Sequence, residues 1–160
     1  MSRLDSFIRR MSAQRDILND LSEQLRPVDG AILEFGLGSG RTFDHLREKF
    51  PGRRIIVFER EVRPDYMPDP PPAELIRGDI RTTSVGLEDG CAALIHADID
   101  TGHMASDHVL SEWLPPLVAR LLAPGGIVAS SISLGHPHLL ALPLPATVSE
   151  GRYFLACRAP

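Results

Sequence analysis

From residue 4 to residue 25, Leu4, Phe7, Ile8, Met11, Leu18, Leu21 and Leu25 recur at helical spacing with arginines and acids between them. That period predicts an amphipathic helix, or a helix pair, stopping at Pro27, because proline lacks the amide N–H that a helix interior uses. It reads as a helix packed on the domain core, with a lid or a subunit contact as the alternative. From Val28 the pattern changes to short apolar runs separated by amphipathic segments. Residues 31–35 read as a buried strand, 42–50 as a short helix with Phe43, Leu46 and Phe50 on one face, and 54–58 as a second strand. Strand, helix, strand at this spacing is a parallel crossover unit.

Residues 63–72 hold five prolines, so a loop or extended segment is expected there and the second crossover is left with little or no helix. A strand at 74–77 ends on Gly78-Asp79, and another at 92–97 ends before Asp98. Helices are expected at 103–114 and 116–122, with Pro115-Pro116 interrupting the first and starting the second. Pro124-Gly125-Gly126 then turns the chain into a strand at 127–132, residues 135–145 read as irregular, and 153–157 as a final strand. Alternation of this kind predicts an α/β fold in a single domain over 1–160, a helical extension at 1–27 preceding the core at 28–160.

Composition changes this picture little: 43% hydrophobic and 24% charged residues are ordinary for a globular chain. The net charge of −4 is uneven, since residues 1–63 carry 12 basic and 10 acidic side chains and 64–160 carry 5 and 11. An acidic second part argues against a nucleic-acid partner. Cys91 and Cys157 form no Cys-x-x-Cys pair, so no zinc site or disulfide framework is indicated and a reducing cytoplasm fits best. No apolar run of about 18 residues occurs and the first residues are charged throughout, so no membrane span or secretion signal is expected.

The chemistry begins where the first strand breaks. Glu34-Phe35-Gly36-Leu37-Gly38-Ser39-Gly40 ends an apolar run in one carboxylate and three alternate glycines, a turn that lets backbone approach a ligand closely. An acid there disfavours a pyrophosphate and favours a positively charged group. Further acids follow each later strand: Glu59, Asp79, then Asp98 and Asp100. This is the edge at which open parallel sheets bind ligands, and Glu59 has the spacing from Gly40 of an acid that accepts from ribose hydroxyls. Taken singly, Glu34 is equally placed to cap the following helix, and Asp79 to shape a Gly-Asp turn.

In these motifs residues 28–158 resemble the class I S-adenosylmethionine-dependent methyltransferases. The glycine motif, Phe58-Glu59-Arg60, Gly78-Asp79-Ile80, His96-Ala97-Asp98-Ile99-Asp100 and Leu121-Leu122-Ala123-Pro124-Gly125-Gly126 occur in that family's order. The resemblance implies a doubly wound, Rossmann-like, mostly parallel sheet of about six to seven strands in three α/β/α layers. It implies S-adenosyl-L-methionine as cofactor, with Gly36, Gly38 and Gly40 under its methionine and ribose parts and Glu34 near the methionine ammonium. Glu59, with Arg60 beside it, would take the ribose, Asp79 the adenine amine, and Ile80 the ring face, with Asp98 closing the cofactor site. Methyl transfer needs positioning more than a protein nucleophile; for a hydroxyl or amine acceptor the base candidates are His96, Asp98 and His103.

No metal is expected. The first position of the fourth-strand motif is His96 instead of an acid, the fifth strand offers no acid or amide, and His136-Pro137-His138 is a loop pattern. Little chain is left to enclose an acceptor, so the acceptor is expected to be a small molecule, with a homo-oligomer as a way to close the site. Two alternatives stand beside this reading: a methyltransferase-like binding or scaffold protein without turnover, and a nicotinamide-dependent oxidoreductase, whose fingerprint places its third glycine one residue later.

Overall fold

A computed structural model describes residues 2–62, 70–72, 74–99 and 104–159. The proline-rich stretch at 63–69, Asp100 and His103 lie outside the described residues. The chain opens with α1 (Arg3–Gln24), one continuous helix. Its start is fixed by a capping box: Asp5 N–H donates to Ser2 Oγ at 3.0 Å, and Ser2 N–H donates to the Asp5 carboxylate at 3.1 Å. Then come β1 (Ala31–Phe35), α2 (Arg41–Lys49) and β2 (Ile55–Glu59). Asp44 in the first turn of α2 and Arg47 and Lys49 in its last complement the helix dipole. After β3 (Leu75–Arg77) and the single turn α3 (Ile80–Thr83) follow β4 (Ala92–Ala97), α4 (Met104–Leu121), β5 (Leu122–Ser130), β6 (Leu139–Leu142) and β7 (Phe154–Arg158).

The seven strands form one sheet in the order β3-β2-β1-β4-β5-β7-β6, the first five parallel and β7 antiparallel to both of its neighbours, β5 and β6. Period-two alternation sends Ile32, Ile55, Val57, Leu94 and Ala129 to the face covered by α1 and α2. Leu33, Phe35, Ile56, Phe58, Ile95 and Val128 go to the face covered by α4. These are the three layers expected of a Rossmann-like fold, with both faces of the parallel strands buried. Strand order reverses between β1 and β4, and the crevice beyond their carboxyl ends is where such sheets bind ligands.

Four expectations need correction. Pro115 and Pro116 do not split a helix; both lie inside α4. The carbonyls that lose their donors belong to the exposed residues 111 and 112, which water can satisfy, while buried Leu110, Leu114, Val118 and Leu121 hold the helix on the sheet. The fifth strand starts at Leu122, before Pro124-Gly125-Gly126, and the register with β4 jumps from Ala92↔Leu122 to Leu94↔Ile127, so the turn is an excursion within the strand. Residues 139–142, expected to be irregular, form β6, pairing Leu139 to Leu142 with Arg158 to Leu155 at the sheet edge. Finally, only the second half of α1 packs on the core, through Ala13, Ile17, Leu18 and Leu21, while Leu4, Phe7 and Ile8 are exposed.

Candidate functional site

At the end of β1 the chain turns away through three left-handed glycines, Gly36 at φ 86°, Gly38 at 53° and Gly40 at 75°. Gly36 N–H donates to Phe58 O at 2.8 Å, tying the turn to β2. A Cβ on Gly36 would lie 2.8 Å from Ile99 Cγ2, whereas one on Gly38 would meet nothing within 4 Å. The turn is therefore pressed against the segment after β4 at its first glycine and open at its second, where it borders a cavity of about 900 Å³. That volume lies within the range of roughly 300 to 1,000 Å³ typical of small-molecule and cofactor sites.

The cavity is lined on its sheet side by Gly36, Leu37, Gly38, Ser39, Glu59, Arg60, Asp79, Ile80, Asp98 and Ile99. Across from them stand Phe7, Arg10, Met11 and Gln14 of α1 and Leu110 and Trp113 of α4. Glu59 folds over the glycine turn: one carboxylate oxygen accepts from the N–H groups of Leu37 at 2.8 Å and Gly38 at 3.3 Å, the other from Glu61 N–H at 3.0 Å. An ionised carboxylate has about four lone-pair positions, so capacity for further donors remains. Asp79 caps α3 and accepts from the Arg81 amide at 2.9 Å and from its guanidinium at 3.0 and 2.7 Å. These Arg81 hydrogen bonds hold its pKa at about 2. The Arg81 guanidinium lies 5.7 Å over the Trp113 ring.

Glu34 is wholly buried and absent from the cavity lining. It accepts from the Thr42 hydroxyl in the first turn of α2, and its other oxygen lies 2.8 Å from His96 Nδ1. The two sit opposite each other in the β1–β4 register. Burial draws the His96 pKa down, but the Glu34 carboxylate, with a further push from Asp98, outweighs this and raises it. The group that Glu34 meets in this structure is thus a histidine of the same chain.

Asp98 has a divided carboxylate. Its Oδ2 accepts from the Arg10 guanidinium and from Gln14 Nε2 at 2.6 Å, while its Oδ1 is buried and has no hydrogen-bond partner among the described residues. Gln14 Nε2 also donates to the Tyr153 hydroxyl, just before β7. Burial pushes the Tyr153 phenol up, and the nearby Asp98 charge pushes it further, so it is neutral. The Tyr153 ring stacks parallel to His96 with centroids 6.4 Å apart.

Of the residues singled out from sequence, Gly36, Gly38, Glu59, Arg60, Asp79, Ile80 and Asp98 converge on one cavity. Glu34 and His96 lie in the interior beneath it, Gly40 caps α2 behind it, and His103 is outside the described residues. Sequence reasoning missed Arg10, Gln14 and Tyr153. Gln14 did carry a signal: it stands in the i, i+3, i+4, i+7 stripe of Ile17, Leu18 and Leu21, a polar side chain where only apolar ones were expected. Among the described residues no group of three His, Cys, Asp or Glu is arranged to hold a metal ion, and no helix is long and apolar enough to cross a membrane.

These features suit an adenosine carrying a cationic or N–H-bearing tail. Acids stand at the ends of β2 and β3, apolar Ile80, Ile99 and Leu110 line the cavity, and Gly38 leaves open room. Comparisons agree. A family model described as S-adenosyl-L-methionine methyltransferase matches residues 1–158. The chain is 40% identical to an S-adenosyl-L-methionine methyl transferase from Silicibacter pomeroyi DSS-3, with 99% of each chain covered and a TM-score of 0.89. Likeness of fold extends to MNMC2 from Aquifex aeolicus, at 20% identity over 90% of this chain and 57% of that one with a TM-score of 0.59. It extends also to the antibiotic-resistance methyltransferase Kmr, at 16% identity over 89% and 93% with a TM-score of 0.52. Comparison with curated proteins returns no match.

Proposed function

Since the chain belongs to the S-adenosyl-L-methionine methyltransferase family, whose cofactor is S-adenosyl-L-methionine, we propose that it methylates a small-molecule acceptor in the cavity between the glycine turn and α1. The observation that carries this reading is the convergence of Gly38, Glu59, Asp79 and Asp98 on one cavity that also has a wall, Phe7 and Met11, unrelated to the donor motifs. When bound, the cofactor supplies an electrophilic methyl group on a sulfonium.

The chain's own residues orient and enclose. Glu59 accepts from the ribose hydroxyls, Arg60 flanks it, Asp79 faces the adenine amine, and Ile80 packs on the ring. The Gly36–Gly40 backbone passes under the remainder, with Asp98 at the edge of the cavity. Glu34 and His96 act from below by fixing α2 and β4. Among the described base candidates Asp98 borders the cavity and His96 does not, so Asp98 is the group within reach of an acceptor proton. Phe7, Met11 and Gln14 of α1 exclude water from that side. Both cysteines are free, which supports action in a reducing cytoplasm, and exposed Leu4, Phe7 and Ile8 support association of two copies, measurable by light scattering.

Titration calorimetry with S-adenosylmethionine, S-adenosylhomocysteine and NAD tests the donor. Binding of the first two without NAD is expected, and NAD binding alone would overturn the reading. Replacing Glu59 with alanine is expected to weaken binding by about 1 to 3 kcal/mol, the cost of removing a charged acceptor from paired donors. Unchanged affinity would put the ribose elsewhere.

A further inference from the structure

The last segment of the chain builds a second cavity that the donor motifs do not touch. Its volume of about 840 Å³ lies inside the range of small-molecule sites. The walls come from both faces of the sheet where β5 ends and β7 begins: Leu134, Leu139 and Ala156 belong to the core under α4, and Leu142, Leu144 and Val148 to the core under α1. Pro143 and Pro145 fix the backbone of one wall, so its shape is set before a ligand arrives. Among the lining residues only Ser133, His136, Glu150 and Tyr153 carry polar side chains, and there is no arginine or lysine. Such a lining suits an apolar body and rejects an anion, which would lose water with no cation to answer its charge.

Register relates this cavity to the first one. Ala97, Ser130 and Phe154 stand in one row across β4, β5 and β7, which puts Phe154, at the second cavity, two strand spacings, about 10 Å, from the carboxyl end of β4. No described residue lines both cavities, yet Gln14 of the first donates to the hydroxyl of Tyr153 in the second. That hydrogen-bonded pair is where the two approach each other. We infer that the second cavity holds the body of the acceptor, a neutral molecule with an apolar body whose reacting end passes Tyr153 into the first cavity. This rests on the reading that the first cavity binds the methyl donor. The acceptor then needs no added domain, because β6 and the flanking residues 133–136 and 143–151 enclose its body.

Decan-1-ol and butan-1-ol share a hydroxyl and differ in apolar length, so they probe the cavity on protein saturated with S-adenosylhomocysteine. Calorimetry is expected to show decan-1-ol binding about 20-fold tighter or more, since each buried methylene adds affinity, and decanoate about fivefold weaker than decan-1-ol. Ala141→Trp, which puts an indole into the cavity from β6, is expected to weaken decan-1-ol about 10-fold and S-adenosylhomocysteine less than about twofold. Where that variant does not fold, Ala146→Trp fills the cavity from the facing loop. Intermolecular NOEs are expected from the hydroxyl-bearing carbon to the Tyr153 ring and from the terminal methyl to Leu144 and Val148. Equal binding of the two alcohols, tighter binding of decanoate, decan-1-ol affinity unchanged by the tryptophan, or reversed NOEs overturns the inference and leaves the donor reading standing. Wild-type protein that binds decan-1-ol but not S-adenosylhomocysteine overturns the donor reading, and the acceptor role with it.

Discussion

Glu34 is the residue at which sequence and structure differ most instructively. Its position before the glycines was legible, but which way it points was not, because that depends on His96, 62 residues away, standing opposite it in the next strand. As half of a buried pair it is expected to matter to stability before it matters to binding. Glu34→Ala leaves His96 buried and unpaired, at a cost of about 3 to 5 kcal/mol. For a chain of this size that lowers the melting temperature by roughly 6 to 20 °C, readable by calorimetry. Because His96 titrates higher in the folded protein than unfolded, its contribution is full below about pH 6.5 and is lost as pH rises through the folded value. Glu34→Gln should flatten that alkaline decline in urea melts. Asp79 behaves oppositely. Its pKa is held at about 2 by Arg81, so its contribution is present above about pH 4 and lost as pH falls towards 2. Arg81→Ala is expected to return the Asp79 carboxylate towards 4 in an NMR titration, with a small stability effect because the pair is partly exposed.

The glycine turn separates two demands that look alike in sequence. Gly36 needs both its positive φ and the absence of a Cβ, which would meet Ile99, while Gly38 needs the φ and leaves its open side to the cavity. Gly36→Ala should therefore be the more destabilised variant in urea. Gly38→Ala is expected to lose about 1 to 2 kcal/mol of stability to backbone strain, together with ligand affinity, since its new methyl points into free space at the site. Strand-and-turn chemistry of this kind was legible because it is local. What was not legible depended on partners: Pro115 and Pro116 stay helical because Leu114 and Val118 are pinned to the sheet, and β6 forms because β7 offers it a free edge. The spacing along α1 leaves core packing and a lid as alternatives, and the helix divides between them: its second half packs on the core while Phe7, Arg10 and Met11 wall the cavity.

At the scale of the molecule, the order of the acids along the chain disclosed the cavity edge because each stands at the end of a strand of one parallel sheet, and such a sheet brings all its carboxyl ends to one edge. The opposite wall comes from α1 and α4, whose approach to that edge no local pattern encodes, and so the acceptor side stayed illegible. The knot around Asp98 joins regions from the whole length of the fold, and Gln14 is translated 139 residues before the Tyr153 it meets. Synthesis is vectorial, so every other part of the cavity can emerge while Asp98 still lacks its tie to the last strand. Ribosome-bound chains halted before residue 150 are expected to retain no immobilised S-adenosylhomocysteine, and chains extended clear of the exit tunnel to retain it. The Gln14–Tyr153 tie beneath the cavity is thus a late product of translation, made only when the nascent chain is almost whole.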